Sequence, residues 1–169
     1  MYTGEADHSL TAELVSHVDV PVVASGDVTS WGRAQAILAT TGAAAVMVGR
    51  AAQGNPWALQ EILDGDAEPP TREEVVAELL LFIRETVREL GERRATGFLK
   101  KFYGWYLGRG RFPRQFKQEL TQLQTLAEVE ERLFAAAPGA AFVLARLERE
   151  NAPAAEVELD LPISIYGGG

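Results

Sequence analysis

Two short segments carry the residues best suited to chemistry. Residues 21–29 read PVVASGDVT and residues 43–57 read AAAVMVGRAAQGNPW. Each is an apolar run that stops at a glycine-containing loop, with Ser25, Gly26 and Asp27 in the first and Gly49 and Arg50 in the second. A glycine lets the backbone come close to a ligand and accepts positive φ. Backbone N–H groups at such turns, with helix starts behind them, attract anions. The Arg50 guanidinium adds a fixed fork of donors suited to phosphate oxygens. One such charge-assisted hydrogen bond is worth about 1.5–3 kcal/mol. The chemistry expected of the pair is the gripping of a phosphate. Asp27 is open to two readings, as an acid or base and as a turn or cap former.

The elements that position these loops follow from the same pattern. Residues 20–24 and 44–48 are short, apolar on both faces and partly β-branched, which predicts two buried parallel strands. Thr29 or Ser30 is placed to cap a helix running to about Thr41, and Gly42 to close it in the left-handed conformation. A second helix is expected near Pro56, with Asn55 as its cap. Two consecutive β/α units with phosphate-suited loops are what the seventh and eighth strands of a (β/α)8 barrel present.

At these residues the sequence resembles the tRNA-dihydrouridine synthases, the bacterial B-type branch in particular. Residues 1–7, MYTGEAD, are similar to the family's Tyr-Lys-Gly-x-Ala-Asp-Trp segment. Residues 20–28 resemble its Ile-Pro-Val-Ile-Gly-Asn-Gly-Asp-Ile strand and loop, and VMVGRAAQGNPW carries its Val-Met-Ile-Gly-Arg and Gly-Asn-Pro-Trp motifs. Lys100, Lys101, Phe102, Trp105 and Tyr106 resemble its Arg-Lys-His-x-x-Trp-Tyr. The resemblance covers residues 1 to about 135. It implies an oxidoreductase that uses FMN, reduced by NAD(P)H, to reduce the C5=C6 bond of uridines in tRNA. It places Ser25, Gly26, Asp27, Gly49 and Arg50 at the phosphate end of FMN. Four positions depart from the pattern: Ser25 stands for Asn, Thr3 for Lys, His8 for Trp and Phe102 for His.

Size and composition bound the reading. A complete barrel needs roughly 250 residues, and this chain has 169. The family's proton donor is a Cys on an earlier loop, and the chain has no Cys. The expectation is therefore the last β/α units of a TIM barrel in residues 1–66, then a small helical bundle in residues 71–137 that binds tRNA. Residues 138–169 are expected to be one short helix and a disordered tail. The missing amino-terminal half-barrel is the partner this arrangement requires, no catalytic residue is assigned within the chain, and the part alone is expected to be inactive. The reducing-compartment composition, with neither a run of 18 apolar residues nor a leader, points to the cytoplasm and away from membranes.

A formal charge of −8 looks wrong for an RNA binder, but the distribution is uneven. Residues 93–118 hold eight basic residues and no acidic one, so the other eight cations face all 24 carboxylates elsewhere. Lys100 and Lys101 are candidate RNA contacts by motif, and Arg109, Arg111 and Arg114 by charge alone. Aromatics interleave the island, yet Phe98, Phe102, Trp105 and Tyr106 recur at helical spacing, which predicts a core face. The helical half is marked by Pro69 and Pro70, by capping boxes at Thr71/Glu74 and Thr125/Glu128, and by the apolar stripe Val75, Val76, Leu79, Leu80, Ile83, Val87 and Leu90. Helices are expected at about 95–107, 113–122, 125–136 and 140–149. His8 and His17 lack partners at metal-ligand spacing, so no metal site is assigned. Two other readings remain open at this point: a different flavin-dependent barrel oxidoreductase acting on a small molecule, and a non-catalytic RNA-binding helical module.

Overall fold

Small polar side chains start several elements. Asp7 accepts the Ser9 N–H and opens α1 (His8–His17); Ser30 accepts the Arg33 N–H and opens α2 (Trp31–Thr41). The structure is a computed structural model and describes residues 4–65 and 68–151. The element order continues with β1 (Val23–Ser25) before α2, then β2 (Ala45–Met47), a 3-10 turn at Arg50–Ala52, and α3 (Ala58–Asp64). The rest is helical: α4 (Arg72–Leu90), α5 (Glu92–Arg109), α6 (Arg114–Gln122), α7 (Leu126–Ala136) and α8 (Ala140–Glu150).

The two strands pair in parallel, with Ala24 opposite Val46 and Ser25 opposite Met47. The α2 crossover between them ends where Gly42 takes φ 69° and donates to the Leu38 carbonyl, as expected. Both strands are shorter than expected, and they are not covered on both faces: Val23 is 57% exposed and Met47 53%. The apolar pattern suits a strand with neighbours on either face, and in this chain α1, α2 and α3 supply cover on one. A small core forms there from Ala24, Val28, Ala34, Ile37, Ala43 and Ile62.

The α3 expectation needs correction. Asn55 does not cap it; the helix starts at Ala58, after turns at residues 52–58, and the Asn55 amide donates instead to Glu61 Oε2 at 2.9 Å. A neighbouring carboxylate outcompetes the helix terminus for that side chain.

The helical half follows the apolar stripe. Val75, Val76, Leu79, Leu80 and Ile83 of α4 are 0–1% exposed, while Val87 and Leu90 are only partly covered. Burying each such side chain contributes about 1.5–3 kcal/mol. Helix α4 packs most extensively on α5 and α8. Both expected capping boxes form, at Thr71/Glu74 and Thr125/Glu128. Helix α5 begins at Glu92 rather than near Ala95, because Gly91, at φ 74°, joins α4 to α5 in a single residue. Helix α8 forms as expected, and the tail expectation, beyond Asn151, lies outside the described residues. Among the described residues no helix is long and apolar enough to cross a membrane.

Candidate functional site

The parallel pairing of β1 and β2 carries the two glycine loops to the same end of the strands. They form a cleft of about 530 Å³ lined by Gly4, Ser25, Gly26, Asp27, Val28, Thr29, Gly49, Arg50 and Ala51. All five residues expected at a phosphate therefore share one cleft. Val28, Thr29 and Ala51 also line it; Thr29, one of the two candidate caps for α2, leaves that role to Ser30 and borders the cleft. Gly4, in the segment ahead of α1, completes the rim.

Gly26 is required by close packing. It adopts φ 122°, and a Cβ there would lie 2.4 Å from the Ala6 Cβ. The turn it permits puts Asp27 at φ 52°, a left-handed conformation that Asp tolerates better than most residues. Asp27 is then the organiser of the cleft. Its Oδ2 accepts the Ala6 N–H at 2.7 Å and its Oδ1 accepts from Arg50 Nη2 at 2.7 Å. One carboxylate thus ties the segment before α1, the loop after β1 and the loop after β2.

The Ala6 N–H holds the Asp27 carboxyl below its ordinary pKa; partial desolvation opposes this, and the positive charges of Arg50 and Arg33 add to it. Asp27 is ionised at neutral pH and bonded through both oxygens. That fits a structural anchor better than an acid or base, since a general acid at pH 7 needs a raised value.

His8, at the position where the family pattern has Trp, packs under the Gly26 turn. Both of its ring nitrogens are buried and have no hydrogen-bond partner among the described residues. Among those residues no cluster of three or more His, Asp or Glu side chains is placed to hold a metal ion.

The expected RNA contacts fall into three settings. Lys101 is exposed on α5, and Lys100 is half-buried one position before it. Arg111 and Arg114 are exposed at the α5–α6 corner, where Arg111 has φ 54° and its carbonyl accepts from Arg72 Nη2. Arg109 is engaged by Glu61 of α3 in an ion pair, and the other Glu61 oxygen accepts from the Asn55 amide. Arg109 therefore joins the helical half to the strands, a use its position in a basic run did not signal.

Gly54 makes the same junction sterically. At φ 63°, a Cβ on it would meet the Trp105 Cβ at 2.5 Å and the Tyr106 nitrogen at 2.8 Å. The core expectation for the α5 aromatics holds for Tyr106 and partly for Phe102, and fails for Phe98 and Trp105, which are 38% and 43% exposed. The buried face of α5 is set by Leu99, Tyr103, Tyr106 and Leu107, so the two rings fall off it. Phe102, standing where the family pattern has His, packs edge-on against Phe82 at 5.0 Å.

Paired parallel β/α units, two loops meeting at one cleft and a helical mass clasped to the second loop define a class: part of a β/α scaffold followed by a helical region. Comparison with known proteins narrows it. A family model described as dihydrouridine synthase (Dus) matches residues 1–141, and the chain belongs to that family. It is similar to tRNA-dihydrouridine synthase B of Proteus vulgaris, at 35% identity over 141 residues, which is 79% of this chain and 43% of that protein. The same name attaches to relatives in Shewanella oneidensis, 37% identical over 76% of this chain and 41% of theirs, and Pseudomonas aeruginosa, 35% identical over 73% and 39%. The chain spans about two-fifths of the length of these relatives.

Proposed function

We propose that this chain is the carboxy-terminal part of an FMN-dependent tRNA-dihydrouridine synthase. Its two β/α units close a TIM barrel with strands supplied from elsewhere, and its helices form a tRNA-binding domain acting in the cytoplasm. The observation that carries the reading is the cleft shared by Gly26 and Arg50, two residues far apart in sequence that had to converge for a phosphate site to exist.

The donor set fits the phosphate end of FMN. The Ser25 and Thr29 hydroxyls and the Arg50 guanidinium border the cleft, and Gly26 and Gly49 leave two of its walls without side chains. Among the described residues a Cβ on Gly49 would meet nothing within 4 Å, so no packing among them explains that bare wall. Arg50 holds the dianion while Asp27 fixes Arg50. When bound and reduced by NAD(P)H, FMN supplies the hydride that saturates the uracil C5=C6 bond. With no Cys in the chain, the proton donor implied by the family pattern is not among its residues. Lys100, Lys101, Arg111 and Arg114 hold tRNA phosphates on the helical side, and Arg109 acts there through its clasp to Glu61.

The test uses the purified chain with FMN, NADPH and unmodified tRNA. FMN affinity should fall about tenfold or more in Arg50→Ala, the loss expected of one charge-assisted hydrogen bond. Dihydrouridine should not form; turnover by the chain alone would overturn the assignment of the missing machinery, and FMN affinity indifferent to Arg50→Ala would overturn the cleft.

A further inference from the structure

The face of α5 turned away from the core presents an ordered row of charge and aromatic surface. Arg94, Phe98, Lys101 and Trp105 follow one another at spacings of four, three and four, which places them along one line of a helix. All four are exposed. The Lys101 ammonium lies 4.1 Å from the Phe98 ring centre and 5.0 Å from that of Phe102, so the cation is held among the rings. Phe102 in turn meets Trp105 edge to face at 5.3 Å. No carboxylate among the described residues pairs with Arg94, Lys100 or Lys101, although the chain carries 24 acidic residues.

We propose that this row is a stacking platform for unpaired bases of RNA, with Phe98 and Trp105 receiving the bases and Arg94 and Lys101 the adjoining phosphates. It rests on the tRNA reading given above and adds to it the part of the RNA that is read. Duplex RNA offers phosphates but hides its base faces; single-stranded loops offer both, and stacking on aromatic rings is how such loops are held. The charge sign selects a polyanion, and the exposed rings select flat apolar partners.

Two further features agree. Gly97, Gly104 and Gly108 lie beside the row, and a Cβ on any of them would meet nothing within 4 Å. No contact within the described residues requires them to be bare, and their bareness lets a nucleic-acid strand lie close against the helix backbone. The Trp105 end of the row abuts Gly54, in the loop that begins at Arg50, so RNA laid along the row is delivered to the loop that lines the cleft.

The experiment is tRNA binding by the full chain, followed by anisotropy of end-labelled, unmodified tRNA at several salt concentrations. Phe98→Ala with Trp105→Ala should weaken binding about tenfold or more, from the loss of base stacking, with the slope of log K against log salt unchanged. Trp105→Phe should recover most of the Trp105 share. Lys101→Ala should instead reduce that slope by about one. A fully paired RNA of equal length should compete at least tenfold less well than a single strand. Thermal melts of the variants matching the parent exclude misfolding.

Absence of tRNA binding by the parent chain would sink both the platform and the tRNA reading. Parent binding that the double alanine variant retains in full would sink the platform alone. Loss of a dimer in sedimentation of that variant, with RNA affinity intact, would assign the row to a second copy of the chain.

Discussion

Among the described residues, the helices from α4 onward close a core of 20 buried residues, whereas the β/α units ahead of them close one of six. Leu80 and Val23 both belong to apolar segments, yet Leu80 is fully buried and Val23 stands 57% exposed. The difference teaches a division of labour. Stability resides where the chain can cover its own apolar surface, and the anion-suited cleft resides where it cannot. Contacts that hold the second region to the first include Gly54 against Trp105, Trp57 against the helical core, and Glu61 between Asn55 and Arg109.

The largest expected effect probes the two cores. Leu80→Ala should cost about 2–5 kcal/mol in urea unfolding followed by far-ultraviolet circular dichroism, because α4 is boxed in by α5 and α8. Ile37→Ala should leave that transition near its original midpoint and lower hydrogen-exchange protection in β1, β2 and α2. Equal shifts of one shared transition would break the contrast and show a single cooperative unit.

Next in size is the junction. Gly54→Ala introduces a Cβ 2.5 Å from the Trp105 Cβ at a left-handed backbone position, at a cost of about 2 kcal/mol or more. The expected outcome is lower hydrogen-exchange protection in β1, β2 and α2, with the unfolding midpoint of the helical core near that of the parent. Glu61→Gln attacks the same junction by removing charge. Glu61 and Arg109 are both partly exposed, so the loss should be about 1 kcal/mol, read as faster exchange in α3 with α5 unchanged.

Smaller again, and opposite in sign, is the effect of filling the bare helix line. Gly104→Ala on α5 should stabilise the chain by about 1 kcal/mol, since the added methyl meets nothing and alanine is the better helix former. A stabilised variant that binds RNA less well would separate folding from function on this helix.

Much of this division was legible in the sequence, and the exceptions share a cause. The apolar stripe and capping boxes located α4 and α7 because those signals depend on neighbours within a turn or two. The cleft was legible because Gly26 and Arg50 each follow an apolar run, and parallel pairing puts such loops at one end. Asn55, Phe98 and Trp105 were misjudged, and the Glu61 partner of Arg109 was not foreseen, because such partners and such lack of cover are set by contacts across the fold. A basic run does not reveal that Glu61 will claim one of its members. Helical spacing of aromatics does not reveal which side of the helix the core will use.

The finest test of the contrast is its dependence on pH. Asp27 has its folded pKa below the ordinary 3.8, chiefly through the Ala6 N–H. Its contribution is thus complete above 3.8 and is lost as pH falls through the lower folded value. Glu78, half-buried in α4, has its folded pKa raised above 4.5 by desolvation. Its protonated form favours the fold, so its contribution is complete below 4.5 and is lost as pH rises through the higher folded value. Acid should therefore loosen the cleft while relieving the charge strain in α4. As pH falls from 7 toward 4.5, the Ala6 amide resonance should hold still while resonances around Glu78 move; below 3.8 the Ala6 amide should shift as its acceptor is protonated. Asp27→Asn should abolish the second change and leave the first. If the two sites titrate together, the charge at one region is felt at the other across the Gly54, Trp57 and Glu61 contacts.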